Sequence, residues 1–82
     1  MKREPIKTIT RPELNALFDS PGERYEPLGL YLCSDEDGFA TVWTAVDNRT
    51  GDAWTEEFGS HNSAVRWLHG YRVRNIYGEV LN

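Results

Sequence analysis

The sequence predicts an α+β fold in a single domain: an antiparallel meander of three or four β-strands packed by two short α-helices. Three observations carry this. Residues 28–58 read as three strand-like runs separated by two loops of matching chemistry, Asp35-Glu36-Asp37-Gly38 and Asn48-Arg49-Thr50-Gly51. Apolar residues recur at helical spacing on either side of that block, in 11–19 and 61–69. The chain has 82 residues, 39% of them hydrophobic, which makes one modest core and no disordered polymer.

The first helix, about residues 11–19, has a clear start. Thr10 and Glu13 stand at the spacing of a capping box, and Pro12 occupies the first turn, where its missing N–H costs nothing. Ile9 and Leu14 have the spacing of a hydrophobic staple. Leu14, Leu17 and Phe18 then share one face.

The strands follow at about 28–34, 39–47 and 53–58. "LGLYLCS" alternates Leu28, Leu30 and Leu32 against Tyr31 and Cys33, and "FATVWTAV" is rich in β-branched and aromatic residues. With both loops read as four-residue turns ending in glycine, Leu32 aligns with Val42 and Leu28 with Val46, while Val46 aligns with Trp54 and Val42 with Phe58. Leu28, Leu30, Leu32, Val42, Val46, Trp54 and Phe58 then form the core face, with both helices expected on it. Tyr31 falls opposite Trp43 on the other face, beside Thr41, Thr55 and Glu57, with Phe39 at the edge. The bland alternative is that a helix covers this second face and makes it a small second core.

The second helix, about 61–69, starts at Ser60 as N-cap, carries Ala64, Trp67 and Leu68 on one face, and stops at Gly70. Residues 71–76 are expected as a fourth strand at the sheet edge, with Arg72 and Arg74 alternating along it.

Composition narrows the function. A net charge of −4 argues against direct nucleic-acid binding and fits a protein partner with a basic surface. The lone Cys33 excludes an intrachain disulfide, and no Cys or His pair has metal-ligand spacing, so neither metal nor cofactor is expected. No apolar run has the length of a membrane span, and the first ten residues lack the apolar stretch of a secretion signal. A soluble, cytoplasmic protein is expected. Catalytic patterns are absent. Ser60, His61 and Ser63 sit where a helix start needs caps, and Glu56 and Glu57 point to opposite faces of a strand.

The candidate contact patch is therefore Tyr31, Trp43 and Glu57, because Trp and Tyr are enriched at interface hot spots. Asp35, Glu36 and Asp37 form an acidic cluster able to steer association with a basic surface.

A Trp-bearing hairpin followed by "EEFGSHNSAVRWLHG" resembles short proteins carried by bacteriophages and mobile elements, and over residues 28–70 the architecture is similar to that of some small anti-CRISPR proteins. That resemblance implies a non-enzymatic inhibitor that binds a host defence protein and occludes its nucleic-acid-binding surface. The alternative expectation is a small bacterial structural or regulatory domain that dimerises through the Trp43 face.

Overall fold

The computed structural model describes residues 4–20 and 22–81. It is α+β, with the elements β1 (Ile6–Thr8), α1 (Arg11–Phe18), β2 (Gly29–Asp37), β3 (Ala40–Asn48), β4 (Trp54–Phe58), α2 (His61–Leu68), β5 (Val73–Arg74) and β6 (Val80–Leu81) in chain order. The main sheet has the order β1-β2-β3-β4. It is mixed and not a meander: β2, β3 and β4 are antiparallel neighbours, but β1 lies parallel to β2, with Ile6 beside Leu30 and Thr8 beside Leu32. The expected edge strand at 71–76 does not join this sheet. Val73 and Arg74 pair instead with Leu81 and Val80 in a separate two-stranded ribbon.

Both helix starts follow the local chemistry. The Glu13 N–H donates to Thr10 Oγ1 at 3.3 Å, and the Thr10 N–H donates to Glu13 Oε1 at 3.0 Å, which completes the capping box. The Ser63 N–H donates to Ser60 Oγ at 3.2 Å and starts α2. At eight residues each, neither helix would persist alone, and tertiary packing holds them.

The register of β3 corrects the sequence-based expectation. Asp35, Glu36 and Asp37 are not loop residues; they extend β2, and the turn is only Gly38-Phe39, between the paired Asp37 and Ala40. Gly38 has φ +66°, as the first central position of a II′ turn requires, and glycine adopts it without strain. Ser34 consequently pairs with Trp43, three residues along from the expected partner Ala40. The second connection runs from Arg49 to Ala53, and Asp47, not Val46, faces Trp54. Both shifts are odd, so β3 is inverted relative to its neighbours. Tyr31 lies opposite Val46, not Trp43. Trp43 and Ala45 join Leu30 and Leu32, while Val42 and Val46 join Tyr31 and Cys33.

The helices also divide between the faces, against the expectation that both cover the leucines. On one side α2 buries Ala64 and Leu68 against Leu30, Leu32, Ala45 and Phe58. On the other, α1 buries Leu14 and Leu17 against Ile9, Tyr31, Cys33 and Val46. The chain thus makes a βαβ crossover, β1–α1–β2, that sets α1 on one face, and a hairpin plus helix, β3–β4–α2, that sets α2 on the other. The sheet is the middle of three layers, with one small core above it and one below.

Asn48 joins these parts. It is fully buried at the end of β3. Its Nδ2 donates to the carbonyls of Tyr25 at 3.1 Å and Pro27 at 3.0 Å, and its Oδ1 accepts from the Ala53 N–H at 3.1 Å. One amide ties the segment entering β2 to the turn entering β4. The same turn brings the Gly51 backbone onto residues 24–25, where the Tyr25 N–H donates to the Gly51 carbonyl at 2.9 Å and a Cβ at position 51 would lie 2.6 Å from Arg24 Cβ.

Candidate functional site

The residues singled out from the sequence do not assemble into one patch. Tyr31 is buried, and its hydroxyl donates to the Pro27 carbonyl at 2.8 Å; burial also pushes its pKa up. Trp43 is half-buried on the opposite face beside α2, with its ring set edge-on to His61 at 5.0 Å between centroids. Glu57 stands on the Tyr31 side of the sheet, where it accepts from the Tyr77 hydroxyl at 3.0 Å. The inverted β3 is the physical reason that Trp43 parts from Tyr31 and Glu57.

The acidic cluster is also divided. Asp35 is gripped by the guanidinium of Arg11 in a two-pronged ion pair, which ties β2 to the start of α1. Glu36 is exposed, and the side chain of Asp37 lies outside the described residues. The Cys33 thiol is buried, and burial followed by the Asp35 charge pushes its pKa up, opposite to the direction of an activated nucleophile.

Two features replace the expected patch. The first is the end of the β2–β3 hairpin. Phe39 occupies the second position of the two-residue turn, and its side chain is completely exposed, at 108% of the reference area. A phenyl ring left in water forfeits about 1.5–3 kcal/mol of burial, and Phe39 is the most exposed large apolar side chain among the described residues. Glu36 lies three residues before it and the Arg11–Asp35 pair just below. The Gly-X pair of a II′ turn was readable in the sequence as Gly38-Phe39, but the run of acidic residues ahead of it reads as loop.

The second feature is a cleft of about 380 Å³ on the Tyr31 side of the sheet, over β3 and β4. Helix α1 spans only about 12 Å and packs on β2, so it leaves this half of the sheet open. Thr44, Thr55 and Glu57 contribute from the strands, Arg11 and Phe18 from α1, and Asn75, Tyr77 and Glu79 from the turn before β6. That turn is fastened to β4 by the Ile76 N–H, which donates to the Glu57 carbonyl at 2.8 Å. Asn75 Nδ2 donates to Glu56 Oε1 at 3.2 Å and to Glu79 Oε1 at 3.0 Å, holding two carboxylates beside one amide. The tail residues carried no signal in the sequence that would have brought them here.

No three His, Cys, Asp or Glu side chains among the described residues converge closely enough to hold a metal ion, and no helix among them is long and apolar enough to cross a membrane. Comparison with known protein families, curated proteins and solved structures gives no match.

Among the described residues, three carboxyls are held below their ordinary pKa by identifiable partners: Glu13 by the Thr10 N–H and hydroxyl, Asp35 by the Arg11 guanidinium, and Asp47 by the Arg49 guanidinium at 2.7 Å. A depressed folded pKa contributes stability that is complete above the unfolded value and lost as pH falls through the folded one. Thermal melts should therefore be flat from pH 7 to about 5 and fall steadily below about pH 4. Asp47→Asn should start lower at pH 7 and show a shallower acid slope. A midpoint independent of pH down to 2 would remove these pairs from the account of stability.

Proposed function

We propose that this chain is a non-enzymatic binding protein that docks on a basic, nucleic-acid-binding surface of a protein partner and occludes it. One observation carries the reading: a fully exposed phenylalanine at the apex of a structured hairpin, next to acidic groups. A rigid aromatic at the end of a two-residue turn loses little conformational freedom on insertion into a pocket, and interface hot spots are built from such anchors. Glu36 and the net charge of −4 supply the complementary field for a partner whose pocket is rimmed by Lys or Arg. A host defence nuclease complex, the partner class implied by the anti-CRISPR-like resemblance, has such a surface. In this reading the contact residues are Phe39 and Glu36, and Asp35 is held in place by Arg11.

The test is capture followed by competition. Tagged protein is used to isolate partners from bacterial lysate, and the captured complex is challenged with a DNA or RNA oligonucleotide. The expected result is a nucleic-acid-binding protein that excess oligonucleotide releases, with no binding of oligonucleotide to the isolated chain. A captured protein that holds both ligands at once, or direct oligonucleotide binding by this chain, would overturn the proposal.

A further inference from the structure

The exposed Phe39 has a counterpart at the other end of the same molecule. The Gly38-Phe39 turn stands at the start of β3, whereas Trp54 opens β4 and pairs with Asp47 near the end of β3. Trp54 is 66% exposed. It borders a slot of about 380 Å³ on the α2 side of the sheet, whose apolar lining is completed by Trp67, Gly70 and Leu81. Trp67 is held from behind by Phe58, with the ring centroids 5.8 Å apart, so one indole of the slot is fixed and the other stands in water. Of the two acids in the lining, Asp47 is paired with Arg49 at 2.7 Å and Glu56 accepts from Asn75 Nδ2 at 3.2 Å.

Charge is distributed to match. Residues 58–78 contain Arg66, Arg72 and Arg74 and no Asp or Glu, although the whole chain carries a net charge of −4. Arg66 stands in the last turn of α2, over the Tyr71 ring at 4.8 Å, and Arg72 comes two residues after the Gly70 that lines the slot. Neither arginine makes an ion pair among the described residues, and neither does Glu36 beside Phe39. From this arrangement we infer that the slot receives the Phe39 hairpin of a second copy of this chain, with the phenyl ring between the indoles and Glu36 turned toward Arg66 and Arg72. Knob and slot lie at opposite ends of one sheet, so a copy that donates its Phe39 still offers an open slot, and the contact is head-to-tail and repeats. One phenyl anchor buries roughly 150–250 Å², far below the roughly 1,200 Å² of a stable interface, so the association is weak and needs concentrated protein. Self-association covers the side chain that docks on an outside partner and releases it on dilution. It needs no such partner, and it stands or falls apart from the docking role.

Sedimentation velocity of the full chain from about 10 μM to about 1 mM tests this. The weight-average mass of wild type should start at 9.4 kDa and climb past that of a dimer, and climb less in high salt. Phe39→Ser and Trp54→Ala should each stay monomeric alone. An equimolar mixture of the two should climb toward the dimer mass and no further, because the first variant keeps only the slot and the second only the knob. Arg72→Glu should weaken self-association several-fold at an unchanged melting temperature, and it leaves both indoles in place. Trp54→Ala should keep the affinity for an outside partner that Phe39→Ser loses, which separates the two uses of the hairpin. Wild type that holds the monomer mass up to about 1 mM, a mass that stops at the dimer, or a mixture of the two variants that does not associate, would overturn the inference.

Discussion

Replacing Asn48 with alanine should lower stability by about 3–5 kcal/mol, the largest loss expected from any single polar side chain here. The substitution strands two backbone groups, the Ala53 N–H and the Tyr25 carbonyl, and takes one of two donors from the Pro27 carbonyl, which keeps the Tyr31 hydroxyl; all three are bonded to one fully buried amide. Each orphaned group costs roughly 1–3 kcal/mol, and a small cavity adds to the sum. For a domain of this size the melting temperature should fall by roughly 15–30 °C. Asn48→Asp separates hydrogen bonding from volume. It keeps an acceptor for Ala53 but turns a negative oxygen toward two carbonyls. Its folded carboxyl is therefore raised in pKa, so its deficit should grow as pH rises above about 4, opposite in sign to the wild-type acid response. An Asn48→Ala protein that melts within a few degrees of wild type would mean that the two loops do not depend on this amide.

The inverted β3 shows what the sequence can and cannot specify. The helix starts at Thr10 and Ser60 were legible because a cap is a local hydrogen bond between residues three apart. The relative faces of β2 and β4 were also legible, since Leu30, Leu32 and Phe58 do share a core. Strand β3 was not. It is covered by α2 on one side and by α1 on part of the other, so Trp43 and Ala45 are as apolar as Val42 and Val46. A strand buried on both faces does not alternate, and hydrophobicity cannot choose its register. The two turn assignments agreed with each other only because both were displaced by an odd number of residues. Asp35, Glu36 and Asp37 are poor strand formers, yet hairpin pairing and the Arg11 ion pair hold the segment extended. Three residues of β1 are too few to read against a longer parallel neighbour. In the candidate site, acidity near the hairpin was visible in advance; the exposure of Phe39 was not, because it depends on the exact length of the turn.

Substitution of Phe39 by serine should abolish most partner binding and leave the fold untouched. The side chain touches little in the isolated protein, and serine suits the second position of a Gly-X turn, so stability should stay within about 0.5 kcal/mol of wild type. A phenyl ring inserted into a partner pocket buries roughly 150–250 Å², and truncating such an anchor costs about 2–4 kcal/mol, or roughly 30- to 1,000-fold in affinity. Glu36→Lys should act differently. It should slow association and weaken its dependence on salt, with a smaller effect on dissociation, because an exposed charge steers encounter more than it holds the complex.

The measurement that bears most directly on the docking role is the affinity of wild type and Phe39→Ser for the captured partner, taken by calorimetry or surface binding, with thermal melts of both proteins alongside. Matched melting temperatures with an affinity loss of at least about 30-fold would establish the hairpin apex as the anchor of the complex. Matched melting temperatures with equal affinities would contradict the account and move the docking surface away from this hairpin.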